Sequence, residues 1–211
     1  MGIQLKNKGQ IFLILAVITV VVLILLRLTV NLPDITQRER KLQGAFERKF
    51  FTNSIEELKK TVEISTNQPV NITTNVFDFA NFTRNRMIER LSDFEMLYVS
   101  TWTQKTGSQM NVSVINLLNQ HLTMTLTLNS SPALTQTNSS LFNMSRWDTN
   151  FSISPGTDYK ITIRYNNTYG ENVTMRTLNG QGFFTSYFDA TLRGKEATYK
   201  NKFQKTYRLR V

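Results

Sequence analysis

The sequence predicts an α+β chain: an apolar N-terminal transmembrane helix, amphipathic helices after it, then an antiparallel β-sheet or sandwich head domain. Three observations carry that prediction. Residues 11–26, IFLILAVITVVVLILL, contain no charge. From about Ile35 to Phe94 apolar residues recur at helical spacing among charges. From Met96 onward the period changes to two.

The first element is the apolar run. At 1.5 Å per residue it covers only ~24 Å, short of the ~30 Å hydrocarbon core of a bilayer. Extension through Arg27, Leu28, Thr29 and Val30 closes the gap if the Arg27 guanidinium snorkels to the interface. Three consecutive valines suit lipid, where satisfaction of the backbone overrides helix propensity. The preceding MGIQLKNKGQ carries Lys6 and Lys8, as the start of a signal sequence does. No small-residue cleavage site follows the run, so the helix is expected to be retained.

Asn31-Leu32-Pro33-Asp34 punctuates the end of the anchor. Thr36-x-x-Glu39 forms a capping box for an amphipathic helix of about four turns with Ile35, Leu42, Phe46 and Phe50 at helical spacing. A second box, Ser54-x-x-Glu57, restarts or continues it, with Ile55, Leu58 and Val62 on one face. A third helix is expected from about Val76 to Phe94, on Phe79, Met87, Leu91 and Phe94. These stripes fit core packing, or packing against neighbouring subunits.

Residues 97–101 and 111–117 then read as strands, and 121–128 alternates Leu122, Met124, Leu126 and Leu128 against three threonines. The Ser/Thr/Asn-rich stretch from Ser130 to Arg146 is expected to be an exposed loop. The last third reads as an antiparallel meander: 159–165, 172–178, 183–192 and a final strand. That strand sets Phe203, Tyr207, Leu209 and Val211 against Lys202, Gln204, Arg208 and Arg210.

Charge and composition narrow the function. The net charge is +10 and there is no cysteine, which excludes disulfides and thiolate metal sites. Seven basic residues stand from Arg193 to the C-terminus against one acid, Glu196. There Tyr199, Phe203 and Tyr207 interleave with lysines. The pattern fits an edge strand blunted by charge, an anionic lipid or acidic-glycan surface or, least well, nucleic acid.

Nine N-x-S/T sequons, at Asn71, Asn81, Asn111, Asn129, Asn138, Asn143, Asn150, Asn166 and Asn172, all follow the anchor. They favour a glycosylated extracytoplasmic face. The basic residues Arg38, Arg40, Lys41, Arg48 and Lys49, counted by the positive-inside rule, point the other way. Folded domains translocate despite flanking charge, so the sequons decide the expected orientation.

No nucleophile elbow, Walker loop, HExxH or GxGxxG occurs. His121 is the only histidine, and no sequence feature nominates a pair of convergent carboxylates. The expectation is therefore a non-enzyme with no cofactor, no bound metal and no small-molecule substrate.

Lys8-Gly9-Gln10 placed directly before an apolar helix resembles the class III processing signal of archaeal type IV pilin-like proteins. The resemblance covers roughly residues 1–30, together with the plan of an N-terminal helix and a β-rich head. It implies cleavage between Gly9 and Gln10, and assembly of the mature chain through its apolar helix. Many family members carry glutamate five residues into the mature chain, where this sequence has Ile14. The organisation implied is a leader over 1–9, a transmembrane and assembly helix over 10–30, a helical stalk or helical part of the head over 31–95, and a β-rich extracytoplasmic domain over 96–211. Partners would be the lipid bilayer and other pilin-like subunits or envelope components. The alternative is a permanently anchored β-domain that binds glycan or cell envelope and does not polymerise.

Overall fold

The computed structural model describes residues 4–29, 32–66, 69–89, 92–103, 108–154, 157–166, 172–177 and 182–209. The chain divides into two units, Met1–Ala45 and Phe46–Val211. The fold is α+β, with three helices followed by nine strands among the described residues.

The first unit holds helix α1, Gln4–Thr29, and the opening turns of α2, Leu32–Ser65. Helix α2 is continuous, so neither capping box starts a helix and Ser54 lies in its interior. An unbroken run of i→i−4 bonds leaves no free N–H groups there for Ser54 to cap.

In the second unit α2 buries Phe51, Ile55, Leu58 and Val62, a stripe advancing four, three and four residues. The expected core positions N-terminal to it differ: Leu42 is 71% and Phe46 49% exposed, and Phe50 is half-buried. Lys59–Glu56 and Lys60–Glu57 pairs, at 2.7 and 2.9 Å, lie on the solvent side of the helix. The helix ends where Thr66 turns both its N–H and its hydroxyl back to the Glu63 carbonyl.

Helix α3, Pro69–Ile88, opens on proline, whose missing N–H is no loss at a first helical position. It buries Ile72, Val76, Ala80 and Met87. It starts earlier and stops sooner than the sequence suggests. Phe94, expected as its last contact, instead belongs to strand β1, Asp93–Thr103.

The remaining strands are β2 (Gln109–Leu117), β3 (Leu122–Leu128), β4 (Leu134–Leu141), β5 (Ser145–Ser152), β6 (Tyr159–Tyr165), β7 (Asn172–Thr177), β8 (Phe183–Arg193) and β9 (Thr198–Arg208). They form two antiparallel sheets, one ordered β5-β2-β1-β8-β9 and the other β4-β3-β6-β7. The Ser130–Arg146 stretch is therefore not one loop: it contains β4 and the start of β5. Nor is the last third a single meander, because β7 and β8 belong to different sheets. Arg210, Val211 and residues 178–181 lie outside the described residues.

Period-two alternation sorts the core into two clusters. One face of the five-stranded sheet sends Met96, Tyr98, Ile115, Leu117, Phe184 and Phe188 toward the helices. Its other face contributes Leu97, Val99, Val112, Val114 and Tyr187 to a second cluster. That cluster is shared with Leu122, Met124, Leu126, Ile161 and Ile163 of the four-stranded sheet. With both faces of the sheet covered, burial is continuous from Met96 to Thr101 in β1 and from Val112 to Leu117 in β2. Each large side chain buried this way contributes about 1.5–3 kcal/mol.

Candidate functional site

Side chains from Gly9 to Arg27 are exposed along the whole stretch, with a mean hydropathy of 3.0 and no part buried inside the protein. Phe12 is 74% exposed and Leu13 68%. An apolar surface of this kind on every side of a helix has no favourable contact with water. The helix is long and apolar enough to cross a membrane. Its one hydroxyl within the apolar run, Thr19 Oγ1, donates to the Leu15 carbonyl at 2.8 Å and so needs no outside partner.

Gly9 and Gln10 are exposed, and an added Cβ on Gly9 would meet nothing within 4 Å. Both lie inside α1, which begins at Gln4, so the helix runs through the Gly9–Gln10 bond rather than starting after it. A peptidase that binds its substrate extended would have to unwind this turn.

The sequon asparagines fall into two groups. Asn71, Asn129, Asn150 and Asn166 are exposed; Asn81, Asn111, Asn138 and Asn143 are half-buried. Several side chains are engaged in the fold. Asn166 Oδ1 accepts the Thr123 N–H at 2.6 Å, Asn138 Oδ1 that of Ser140 at 3.0 Å, and Asn143 Oδ1 that of Asn119 at 3.3 Å. Asn129 Oδ1 accepts from the Lys160 backbone. Asn81 Oδ1 is buried with no hydrogen-bond partner among the described residues. The side chain of Asn172 lies outside the described residues.

His121 stands exposed at the start of β3, edge-to-face on Phe142 at 4.7 Å. Among the described residues no three His, Cys, Asp or Glu side chains converge as a metal site would require.

A polar cluster under the helices has no counterpart in the sequence pattern. Thr73 and Ser100 hydroxyls approach to 3.5 Å there, and Ser186 stands opposite Ser100 in the ladder. Tyr98, two residues along β1, is fully buried. Burial pushes its hydroxyl well above the usual tyrosine range, with Ser186 and Ser100 partly offsetting the effect. These groups are spread over β1, β8 and α3, so no local motif could announce them.

On the other end of the five-stranded sheet, a groove of about 430 Å³ runs between α2 and β9, lined by Arg48, Phe51, Ile55, Tyr199 and Lys200 among others. Nearby, Glu47 Oε1 accepts the Lys195 N–H at 3.3 Å. A Cβ on Gly194 would overlap the Glu47 carboxylate, so a larger residue at that turn would displace the Glu47 side chain.

The chain matches no protein-family model, no curated protein and no solved structure.

Proposed function

We propose that this chain is a membrane-anchored extracytoplasmic structural protein, a pilin-like subunit of an archaeal surface filament or secretion system. The observation that carries the reading is the helix from Gly9 to Arg27, apolar on all sides and buried by nothing in its own fold. Such a surface is satisfied by lipid, and after assembly by the same helices of other subunits. The head, read as a β-sandwich with a helical layer, would stand outside the cell and carry sugar at the exposed sequons Asn71, Asn129, Asn150 and Asn166. No enzymatic role is assigned to it.

A second reading is favoured by two specific observations. Ile14 occupies the position where many pilin-like chains carry an acid, and the Gly9–Gln10 bond is helical. Both fit a permanently anchored β-domain that recognises glycan or envelope and never polymerises.

Shearing of host cells separates the two. Filaments in the sheared fraction that contain this chain support the subunit; recovery only by detergent, as a monomer, supports the anchored binding domain.

A further inference from the structure

We propose that the outer edge of β9 is a docking strand, which adds an extended segment of a partner protein to the five-stranded sheet. The segment it fits alternates acidic and apolar residues.

Strand β9 closes one side of that sheet, and its only ladder among the described residues is with β8. Two hydrogen bonds fix which of its backbone groups face outward. Gly194 N–H donates to the Ala197 carbonyl at 2.9 Å at one end of the hairpin, and Leu209 N–H to the Gly182 carbonyl at 2.7 Å at the other. Both pairs lie in the register that sets Phe188 opposite Phe203. Bonded and non-bonded pairs alternate along an antiparallel ladder. The odd-numbered residues of β9 therefore turn their N–H and C=O toward β8. Lys200, Lys202, Gln204 and Thr206 turn theirs toward the open edge. The strand is 11 residues long, about twice the common length, so an added segment can make several pairs.

The two faces of β9 specify what such a segment carries. On the face away from the helices stand Lys200, Lys202 and Arg208, with Lys202 also bonded to Asp189 across the ladder at 3.0 Å. Residues of an added strand on this face would lie beside those cations, where carboxylates are favoured and ammonium groups opposed. On the helix face stand the half-buried Tyr199, Phe203 and Tyr207, and the groove floored by Phe51, Ile55 and Tyr199 opens next to them. Alternate residues of the added strand would meet those rings there, beside Asn201 and Lys205 of the same face, with Lys205 Nζ over the Tyr207 ring at 4.8 Å. Main-chain bonds would supply affinity, and the two faces selectivity. A second copy of β9 fits poorly. Self-pairing about Gln204 sets Lys200 opposite Arg208 and confronts one basic stripe with another.

The test uses the full chain in zwitterionic detergent micelles, so its outcome does not depend on what α1 assembles with. The probe is a fluorescein-labelled ten-residue peptide alternating glutamate with valine, and its control carries lysine for glutamate. Anisotropy and amide hydrogen exchange are read together. Expected are binding of the glutamate peptide alone, weakened by salt, and slowed exchange at the Gln204 and Thr206 amides. Gln204→Pro, which removes an outward N–H and none of the β8 ladder, should weaken binding about tenfold, with Gln204→Ala nearly unchanged. Equal binding of both peptides, or equal affinity of the two variants, would overturn the proposal, leaving β9 as an edge merely blunted by lysines. If Gln204→Pro misfolds, exchange in the unaltered chain decides: unchanged Gln204 exchange under saturating peptide overturns it. Concentration-dependent self-association through β9 would overturn it too.

Discussion

The side-chain amide of Asn116, on β2, donates to the main-chain carbonyl of Leu141, on β4, at 3.0 Å. The bond is buried and crosses from one sheet to the other. The same Nδ2 reaches the carbonyls of Gln120 at 2.8 Å and Phe142 at 3.1 Å, while Oδ1 accepts the Leu118 N–H at 3.0 Å. One fully buried amide thus ties down the β2–β3 turn and the end of β4.

Asn116→Ala should therefore destabilise the head by about 2–3 kcal/mol, since it removes the side-chain donor of the buried Leu141 carbonyl and the acceptor of the part-buried Leu118 N–H at once. Asn116→Asp should do at least as much harm, because a carboxylate cannot donate to three carbonyls. Urea unfolding followed by the fluorescence of Trp102 and Trp147, both half-buried, measures each. Loss of less than about 0.5 kcal/mol in both variants would remove this tie from the account.

Alkaline stability should fall for a defined reason. Burial raises the Tyr98 pKa well above its ordinary 10.0. Burial, then the Glu63 charge, raises that of Tyr207 to about 12. Below pH 10.0 both rings are neutral in the folded and unfolded chain, and their contribution is fully present. As pH rises past that value the unfolded chain releases protons that the folded chain keeps, and stability declines. Tyr98→Phe should flatten part of that decline between about pH 10 and 12 without changing its onset from Tyr207. An unaltered slope would contradict burial as the cause.

Asn111 and Asn150, both sequon residues, stand directly opposite each other in the β2–β5 ladder. Their Cβ atoms are about 5 Å apart, too close for two glycans side by side. Asn150 is exposed and Asn111 half-buried, so sugar should favour Asn150. By intact mass of protein from its host, Asn150→Gln should lose one glycan and Asn111→Gln none. Simultaneous occupancy of both would show that the edge opens before modification.

A charge at the middle of α1 should be costly. Ile18→Lys places an ammonium group near the centre of the Gly9–Arg27 span, at about 2.5–3.5 kcal/mol against insertion. The substituted chain should move from the membrane to the soluble or aggregated fraction. Full retention in membranes would argue that α1 does not cross the bilayer.

How much of this is legible in the sequence depends on burial. Strands β3 and β6 alternate cleanly because one face of each is packed and the other hydrated, and the sequence places them within a residue or two of the structure. Strand β4 is hidden because among its eight residues only Leu141 is buried. Its pairing with β3 is marked by threonines facing threonines, Thr125 with Thr137 and Thr127 with Thr135. Polar composition of that kind reads as a loop. The end of α3 is misplaced by the sequence because Met87 and Phe94 keep a helical spacing by coincidence, and Leu91 lies outside the described residues. Phe94 in fact begins the alternation Phe94, Met96, Tyr98 toward the helices. The apolar helix is plain from composition and the lysines of β9 fit an edge strand, whereas the sheet that edge belongs to needs the strand order, which no local pattern encodes.

The proposed function requires that α1 stay on the mature chain as its membrane and assembly element. The most direct test is the intact mass of the chain recovered from carbonate-washed membranes of its own host. Expected is a polypeptide that begins at Gln10 and keeps residues 10–30, with added mass from glycans. A mature chain that begins beyond residue 30, or one found only in the soluble fraction, would contradict it.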